Sequence, residues 1–169
     1  MTMKHLPLLL TLLLPIDAAQ AEAKYVQTPY KEQQVVFDFY FDDPRKLGSA
    51  LYWVRSLLNP LMGEPYNYAP EFLDLIVLIH GTEIVATVRQ NYEKYKDDVE
   101  RMKYYAALGV KFKVCAIAAD DYGYSTKDFH DFVELVPSAI TELAHWQLQG
   151  YATITPVVMD KKFAIDEIR

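Results

Sequence analysis

The stretch that most restricts the fold is a short, almost uninterrupted apolar run, Phe72-Leu-Asp-Leu-Ile-Val-Leu-Ile-His-Gly81. Runs of this length and composition are typical of a central parallel strand that is buried on both faces. Patterns of helical period lie on both sides of it, as the crossovers between parallel strands require. The alternation of strands and helices predicts a three-layer α/β/α sandwich with a mainly parallel sheet of about five strands.

The remaining elements are predicted from periodicity and from helix-ending residues. A first strand covers residues 35–43, where Val35, Phe37, Phe39 and Phe41 form one apolar face. Asp43-Pro44 can cap the next helix, and Asn59-Pro60 should stop or kink it, with continuation of the helix to Met62 as the alternative. The other predictions are a helix over residues 45–58, a helical turn near 82–88, a helix from Tyr92 that Gly109 ends, a strand over 110–117 with a loop to about 126, a weak strand or loop over 132–136, a helix from Pro137 to Gly150 and a strand over 151–155.

The first 21 residues have the layout of a secretory signal peptide. Lys4 precedes an apolar run over residues 6–16, and Ala19-Gln20-Ala21 matches the small-x-small pattern of a cleavage site. The run is shorter than the ~20 residues that a membrane span needs. We therefore expect export to the periplasm, with residues 22–34 as a polar arm and 35–169 as a single domain. An uncleaved amphipathic anchor is the alternative.

Charge and cysteine content narrow the function classes. A net charge of −6 and a pI near 5.2 argue against a nucleic-acid partner or an anionic membrane surface, which attract clustered Lys and Arg. One cysteine, Cys115, excludes a disulfide within the chain. In an exported protein such a cysteine is buried and inert, paired between chains, or a reactive thiol.

Cys115 and His80 are the candidate catalytic residues. Each lies at the carboxyl end of a predicted strand, and the carboxyl ends of parallel strands meet at one edge, where open α/β sheets bind ligands. A nearby imidazolium, or Lys111 and Lys113 on the same sheet face, would favour the nucleophilic thiolate. The alternative is a buried cysteine beside a histidine that is hydrogen-bonded to the backbone.

The acidic residues near the strand ends have two interpretations each. Asp120 and Asp121, with Gly81, are candidates for substrate binding, although consecutive acids before a glycine are more often turn residues. Asp42 could cap a helix, and Asp38 could face an oligomer contact.

We predict neither a metal nor a cofactor. Cys115, His80, His130 and His145 have no pair with the close spacing of zinc or copper ligands. The first predicted strand is followed by acidic residues where a phosphate-binding loop would have glycines.

Four sequence landmarks carry a family resemblance: Leu75 to Gly81, Leu108-Gly109-Val110, Phe112-Lys-Val-Cys115 and Leu148-Gln-Gly-Tyr-Ala152. In this order they resemble the DsrE/DsrF-like family of sulfur-relay proteins, in its branch with signal peptides, over residues 35–156. The resemblance implies a parallel five-stranded sandwich, assembly into trimers or hexamers, and a cysteine that carries sulfur as a persulfide at position 115. It makes His80 the neighbour of that cysteine.

Two functions follow as hypotheses. The first is an exported sulfur-handling protein, a carrier or sulfurtransferase, in which Cys115 takes sulfane sulfur from a donor and passes it to an acceptor. The second is a non-catalytic oligomeric binding or scaffolding protein with an unreactive Cys115, which the many tyrosines would suit.

Overall fold

The computed structural model describes residues 22–169, so the predicted signal peptide lies outside the described residues. Residues 22–30 are exposed and have no regular secondary structure. The compact unit begins at Lys31 and runs to Arg169. Within the described part of the chain, the helices are too short or too polar to cross a membrane.

Five parallel strands form one sheet in the order β4-β3-β2-β1-β5, with helices on both faces. This confirms the predicted three-layer α/β/α sandwich. The elements are β1 (Gln33–Phe39), α1 (Leu47–Met62), β2 (Leu73–Ile79), α2 (Tyr92–Ala107), β3 (Lys111–Cys115), α3 (Ala116–Asp121), β4 (Val133–Val136), α4 (Ala139–Leu148) and β5 (Ala152–Ile154), with short 3₁₀ turns between several of them.

The larger apolar core lies between one face of the sheet and helices α1 and α2. The odd-numbered side chains of β1 point into it, as their alternation predicts. They meet the apolar stripe of α1 and the inner face of α2, and burial of this surface is the main stabilising contribution to the fold. The largest fully buried side chains of this core are Phe37, Phe39, Phe112, Phe129, Leu47, Leu51, Leu58, Leu75, Ile79 and Ile84.

The opposite face of the sheet has a smaller core and a polar end. Val36, Ile76 and Leu78 pack against α4 through Leu143 and Trp146. Nearer the carboxyl ends of the strands, the same face carries polar or ionisable side chains, namely Asp38, Lys113, His80 and Cys115. The candidate site is therefore on the α4 face, where the apolar cover ends.

Two predicted boundaries were wrong. Helix α1 continues through Pro60 to Met62 although Asn59-Pro60 was expected to stop or kink it. One missing N–H costs a single helical hydrogen bond, while the extra turn buries Leu61 in the core. The segment after Cys115 was predicted as a continuing strand and loop, but it is the short helix α3. Its alanine-rich sequence has high helix propensity.

A polar cluster ties α4 and β5 to the amino-terminal edge of the sheet. The Tyr151 hydroxyl donates a hydrogen bond to Asp74, and the Lys111 ammonium lies 2.9 Å from the same carboxylate. The Trp146 ring packs edge-on against Tyr151, with ring centroids 4.9 Å apart. Residues from β2, β3 and α4 thus meet at the entry to the last strand.

We predict that Tyr151→Phe lowers the free energy of unfolding by about 1 kcal/mol, since the lost hydrogen bond has a charged but partly exposed acceptor. Burial, and then the bond to Asp74, raise the pKa of Tyr151 to about 12. In the unfolded chain a tyrosine titrates near pH ~10. The folded state holds this proton more tightly, so the contribution is complete below pH ~10 and is lost as the pH rises through about 12. Denaturant unfolding at neutral pH and between pH 10 and 12 measures the difference from the wild type.

Tyr104→Phe is the matched control because the Tyr104 side chain is 61% exposed on α2. It should leave the stability unchanged. An equal loss in both variants, or a wild-type advantage that grows above pH ~10, would contradict the assignment.

Candidate functional site

The structure makes β2 and β3 neighbours and places His80 and Cys115 at the same level of the sheet. Ile79 of β2 is in register with Val114 of β3, so the next positions along the two strands are His80 and Cys115. Adjacent strands are about 4.8 Å apart, and residues in register point to the same face. The two candidate catalytic residues therefore share one face of the carboxyl edge.

Cys115 is the last residue of β3 and the residue from which α3 starts. Its backbone is still extended, with φ −64° and ψ 117°, and it occupies the N-cap position of α3. The residue is 7% exposed, and among the described residues neither apolar cluster of the core includes it. The thiol thus lies at the border between the packed sheet and the exposed edge.

The His80 imidazole is held by Asp38 of β1 and by Tyr40, the residue that follows β1. Its Nε2 lies 2.7 Å from Oδ1 of Asp38, and the two side chains are 14% and 19% exposed. The ring of Tyr40 stacks on the imidazole at a centroid distance of 4.9 Å and an interplanar angle of 20°. The structure places Asp38 against His80, and a role for Asp38 in an oligomer contact stays a prediction. The hydrogen bond that the structure gives to the imidazole thus goes to a carboxylate, and not to the sulfur.

A buried carboxylate fixes the backbone beneath this histidine. Glu83 is fully buried, and it accepts hydrogen bonds from the backbone N–H groups of Phe41 (3.0 Å), His80 (3.2 Å) and Gly81 (2.9 Å). Burial raises the pKa of the Glu83 carboxyl, and the N–H donors act in the opposite direction. Sequence reasoning missed this residue, because a single acid in the helical turn after β2 carries no periodic signal.

Gly81 has a structural reason to be glycine. A Cβ at this position would lie 2.4 Å from the backbone N and 2.6 Å from the backbone O of Phe41. Thr82 also donates its backbone N–H to the Phe41 carbonyl, at 2.9 Å. The chain leaving β2 therefore passes directly against the chain leaving β1, and substrate binding by Gly81 stays a prediction.

The lysines on this face are paired with carboxylates. The Lys113 ammonium lies 2.6 Å from Glu134, and Lys111 is bound to Asp74. Both positive charges that could have favoured a thiolate at Cys115 are therefore offset by ion pairs. This leaves His80 as the basic group in register with the sulfur.

The acidic residues outside the cluster lie in surface turns. Asp120 and Asp121 are exposed at the end of α3, about 7.5 and 9 Å of helical rise beyond Cys115. The Asp120 carbonyl accepts the Gly123 N–H at 2.8 Å, so this segment also forms the turn. Their role in substrate binding stays a prediction. At the end of β1 it is Asp43, through its Oδ1, that caps the following helical turn, while Asp42 pairs with Lys46.

The histidines considered as metal ligands have aromatic surroundings. His130 lies between Tyr92 and Phe132, and His145 packs against Trp146. Over residues 22–169, the structure brings together no group of three or more His, Cys, Asp or Glu side chains that could hold a metal ion.

The fold is a parallel α/β/α sandwich with a thiol at the carboxyl edge of β3. The chain belongs to the DsrE/DsrF-like family, which matches residues 34–156. This family is associated with sulfur relay. No functionally curated protein matches the chain.

Two solved structures are similar to this fold. One is the protein of unknown function MTH1491 from Methanobacterium thermoautotrophicum, with a TM-score of 0.59 and 21% identity over 73% of this chain and 99% of its own. The other is the ychN protein from E. coli, with a TM-score of 0.51 and 21% identity over 73% of this chain and 98% of its own. At these identities the similarity shows the fold.

We predict that Glu83→Gln lowers the free energy of unfolding by about 1–3 kcal/mol. The amide has one oxygen acceptor, so at least one of the three backbone N–H groups faces an NH₂ group and is left unsatisfied in a buried place. Denaturant unfolding measures the loss.

Glu93→Gln, an exposed change in the first turn of α2, is the matched control and should be nearly neutral. If Glu83→Gln is as stable as that control, the three hydrogen bonds do not hold the strand ends as described.

Proposed function

We propose that the protein is an exported sulfur carrier or sulfurtransferase in which Cys115 forms a persulfide. The single observation that carries the proposal is the position of this thiol at the carboxyl edge of β3. Cys115 follows Val114, and His80 follows Ile79, the residue in register with Val114. Membership of a family associated with sulfur relay supports the same chemistry.

The transfer step needs a thiolate and a sulfane sulfur donor. The Cys115 thiolate attacks the outer sulfur of a donor persulfide or polysulfide, a new S–S bond forms, and the bond from that sulfur to the donor breaks. The donor leaves as a thiolate and takes up the proton that the Cys115 thiol lost. The donor already carries sulfur in the sulfane state, so the exchange needs no external oxidant or reductant.

The proposal also includes the cellular location of the protein and its assembly into oligomers. The layout of residues 1–21 supports export to the periplasm. Exposed apolar side chains on α4, Ile140 at 65% and Leu148 at 86%, support assembly of the chain into a homo-oligomer. The choice of a trimer or a hexamer rests on the family resemblance.

A second function, a non-catalytic oligomeric binding or scaffolding protein, is favoured by a different observation. Cys115 is only 7% exposed, and the lysines on its face are paired with carboxylates. Both features would suit an unreactive thiol. Chemical reactivity of Cys115 in the folded protein distinguishes the two functions.

We predict that the mature protein gains the mass of one or more sulfur atoms when it is incubated with inorganic polysulfide. Intact mass spectrometry under native conditions measures the gain. Treatment with a thiol reductant should remove it, because a persulfide is a reducible S–S bond.

Cys115→Ser is the matched variant, since it replaces one atom at the reacting position. It should gain no sulfur while it keeps the wild-type circular dichroism spectrum. A wild-type chain that never gains sulfur would favour the scaffolding function, and equal gains by both proteins would exclude Cys115 as the carrier.

A further inference from the structure

The hydrogen bond between Asp38 and His80 determines which nitrogen of the imidazole carries the proton. A carboxylate oxygen accepts hydrogen bonds but does not donate them, so Nε2, 2.7 Å from Asp38 Oδ1, must be the protonated nitrogen. In the neutral ring the lone pair is then on Nδ1. The geometry therefore selects one tautomer of His80.

Several contacts hold this arrangement in place. Tyr40 stacks on the ring from the exposed side, with its own side chain 70% exposed. Below the ring, Glu83 accepts the backbone N–H of His80 and the same N–H contacts the Phe39 carbonyl at 3.1 Å. The backbone and the ring of His80 are thus each restrained by a separate carboxylate.

We propose that Asp38 is a positioning residue that fixes His80 with its proton on Nε2, so that Nδ1 exchanges a proton with Cys115. This inference rests on the proposed function and adds the proton path to it. Nδ1 takes the thiol proton, which leaves a thiolate and an imidazolium whose Nε2–H is still bound to Asp38. After the S–S bond to the donor breaks, Nδ1 returns the proton to the leaving thiolate.

The surrounding charges support His80 as the base. On the same sheet face, Lys113 is paired with Glu134, and Lys111 is paired with Asp74 at the opposite edge. The remaining ionisable groups packed near the ring are Asp38 and Tyr40 from the β1 end, Glu83 from the turn after β2, and Cys115 from β3. Among these, His80 is the side chain with a basic ring nitrogen, and it follows Ile79 just as Cys115 follows Val114, the residue in register with Ile79.

The first test is the tautomer itself. Long-range ¹H–¹⁵N spectra of the folded protein, recorded where the imidazole is neutral, should show Nε2 protonated and Nδ1 unprotonated. Asp38→Asn keeps an acceptor oxygen and should keep that tautomer, while Asp38→Ala removes the acceptor and should give a mixture. A wild-type ring protonated on Nδ1, or a wild-type spectrum in Asp38→Ala, overturns the inference.

The second test is the reactivity of Cys115 as a function of pH. The rate of alkylation by iodoacetamide should depend on pH in a step that requires the imidazole of His80. His80→Gln keeps an N–H donor at the Nε2 position but has no basic ring nitrogen. It should lose the step and react on the order of 10²-fold more slowly at pH ~7, as expected for loss of a general base.

His145→Gln, an exposed change on α4, is the matched control and should retain the wild-type curve. A His80→Gln curve that matches the wild type overturns the inference, whereas loss of the step in that variant alone supports it.

The two proposals fail separately. The tautomer and alkylation measurements use the protein without any sulfur compound. The wild-type tautomer and step together with no sulfur uptake from polysulfide would overturn the sulfur-carrier function and leave the role of Asp38 in place. Sulfur uptake at the same rate in the wild type and His80→Gln would leave the sulfur-carrier function in place. It would overturn the proton transfer through His80 and the role of Asp38 in it.

Discussion

The contact between the ends of β1 and β2 is the constraint on which the candidate site depends. Glu83, fully buried, joins the backbone of Phe41 to that of His80 and Gly81. The approach is so close that a side chain at Gly81 would overlap Phe41. A buried carboxylate is stable only where its oxygens accept hydrogen bonds. Glu83 therefore needs the backbone N–H groups of the two strand ends, and the same hydrogen bonds hold those strand ends together.

This contact sets the relative positions of the polar side chains on the α4 face of the sheet. Because β1 and β2 run in register, Tyr40 and His80 emerge at one level, with Asp38 one step earlier on the same face. Cys115 comes from the other side of β2, on β3. The central strand thus carries His80 between a carboxylate on one neighbour and a thiol on the other. A small rearrangement of the β2 end would alter both relations at once.

The layers of this fold could be predicted from the sequence because buried apolar residues recur with the period of the strand or helix that carries them. The run from Phe72 to Ile79 and the odd positions of β1 give the strands, and the stripe of α1 gives its packed face. Residues that often end helices, such as proline, are a weaker signal of where an element stops. Pro60 did not end its helix, and the six residues of α3 are too short for periodicity to separate a helix from a loop.

The candidate site was only partly predictable for a physical reason. Strand ends place Cys115 and His80 at one edge, but alternation along a strand does not tell which strand lies beside it. The partner of His80 is Asp38 on β1, and the partner of Lys113 is Glu134 on β4, each from a distant part of the chain. The order of the strands determines which of these side chains pair, and that order is known only from the assembled sheet.

The central claim is that the Cys115 sulfur can be reached at the sheet edge while the protein stays folded. The most direct measurement compares the iodoacetamide labelling rate of the native protein with its global unfolding rate under the same conditions. If the Cys115 thiol is accessible in the folded protein, its labelling should be much faster than unfolding and first order in iodoacetamide. Labelling that proceeds only as fast as the whole domain unfolds would contradict it, since the thiol would then be closed inside the core.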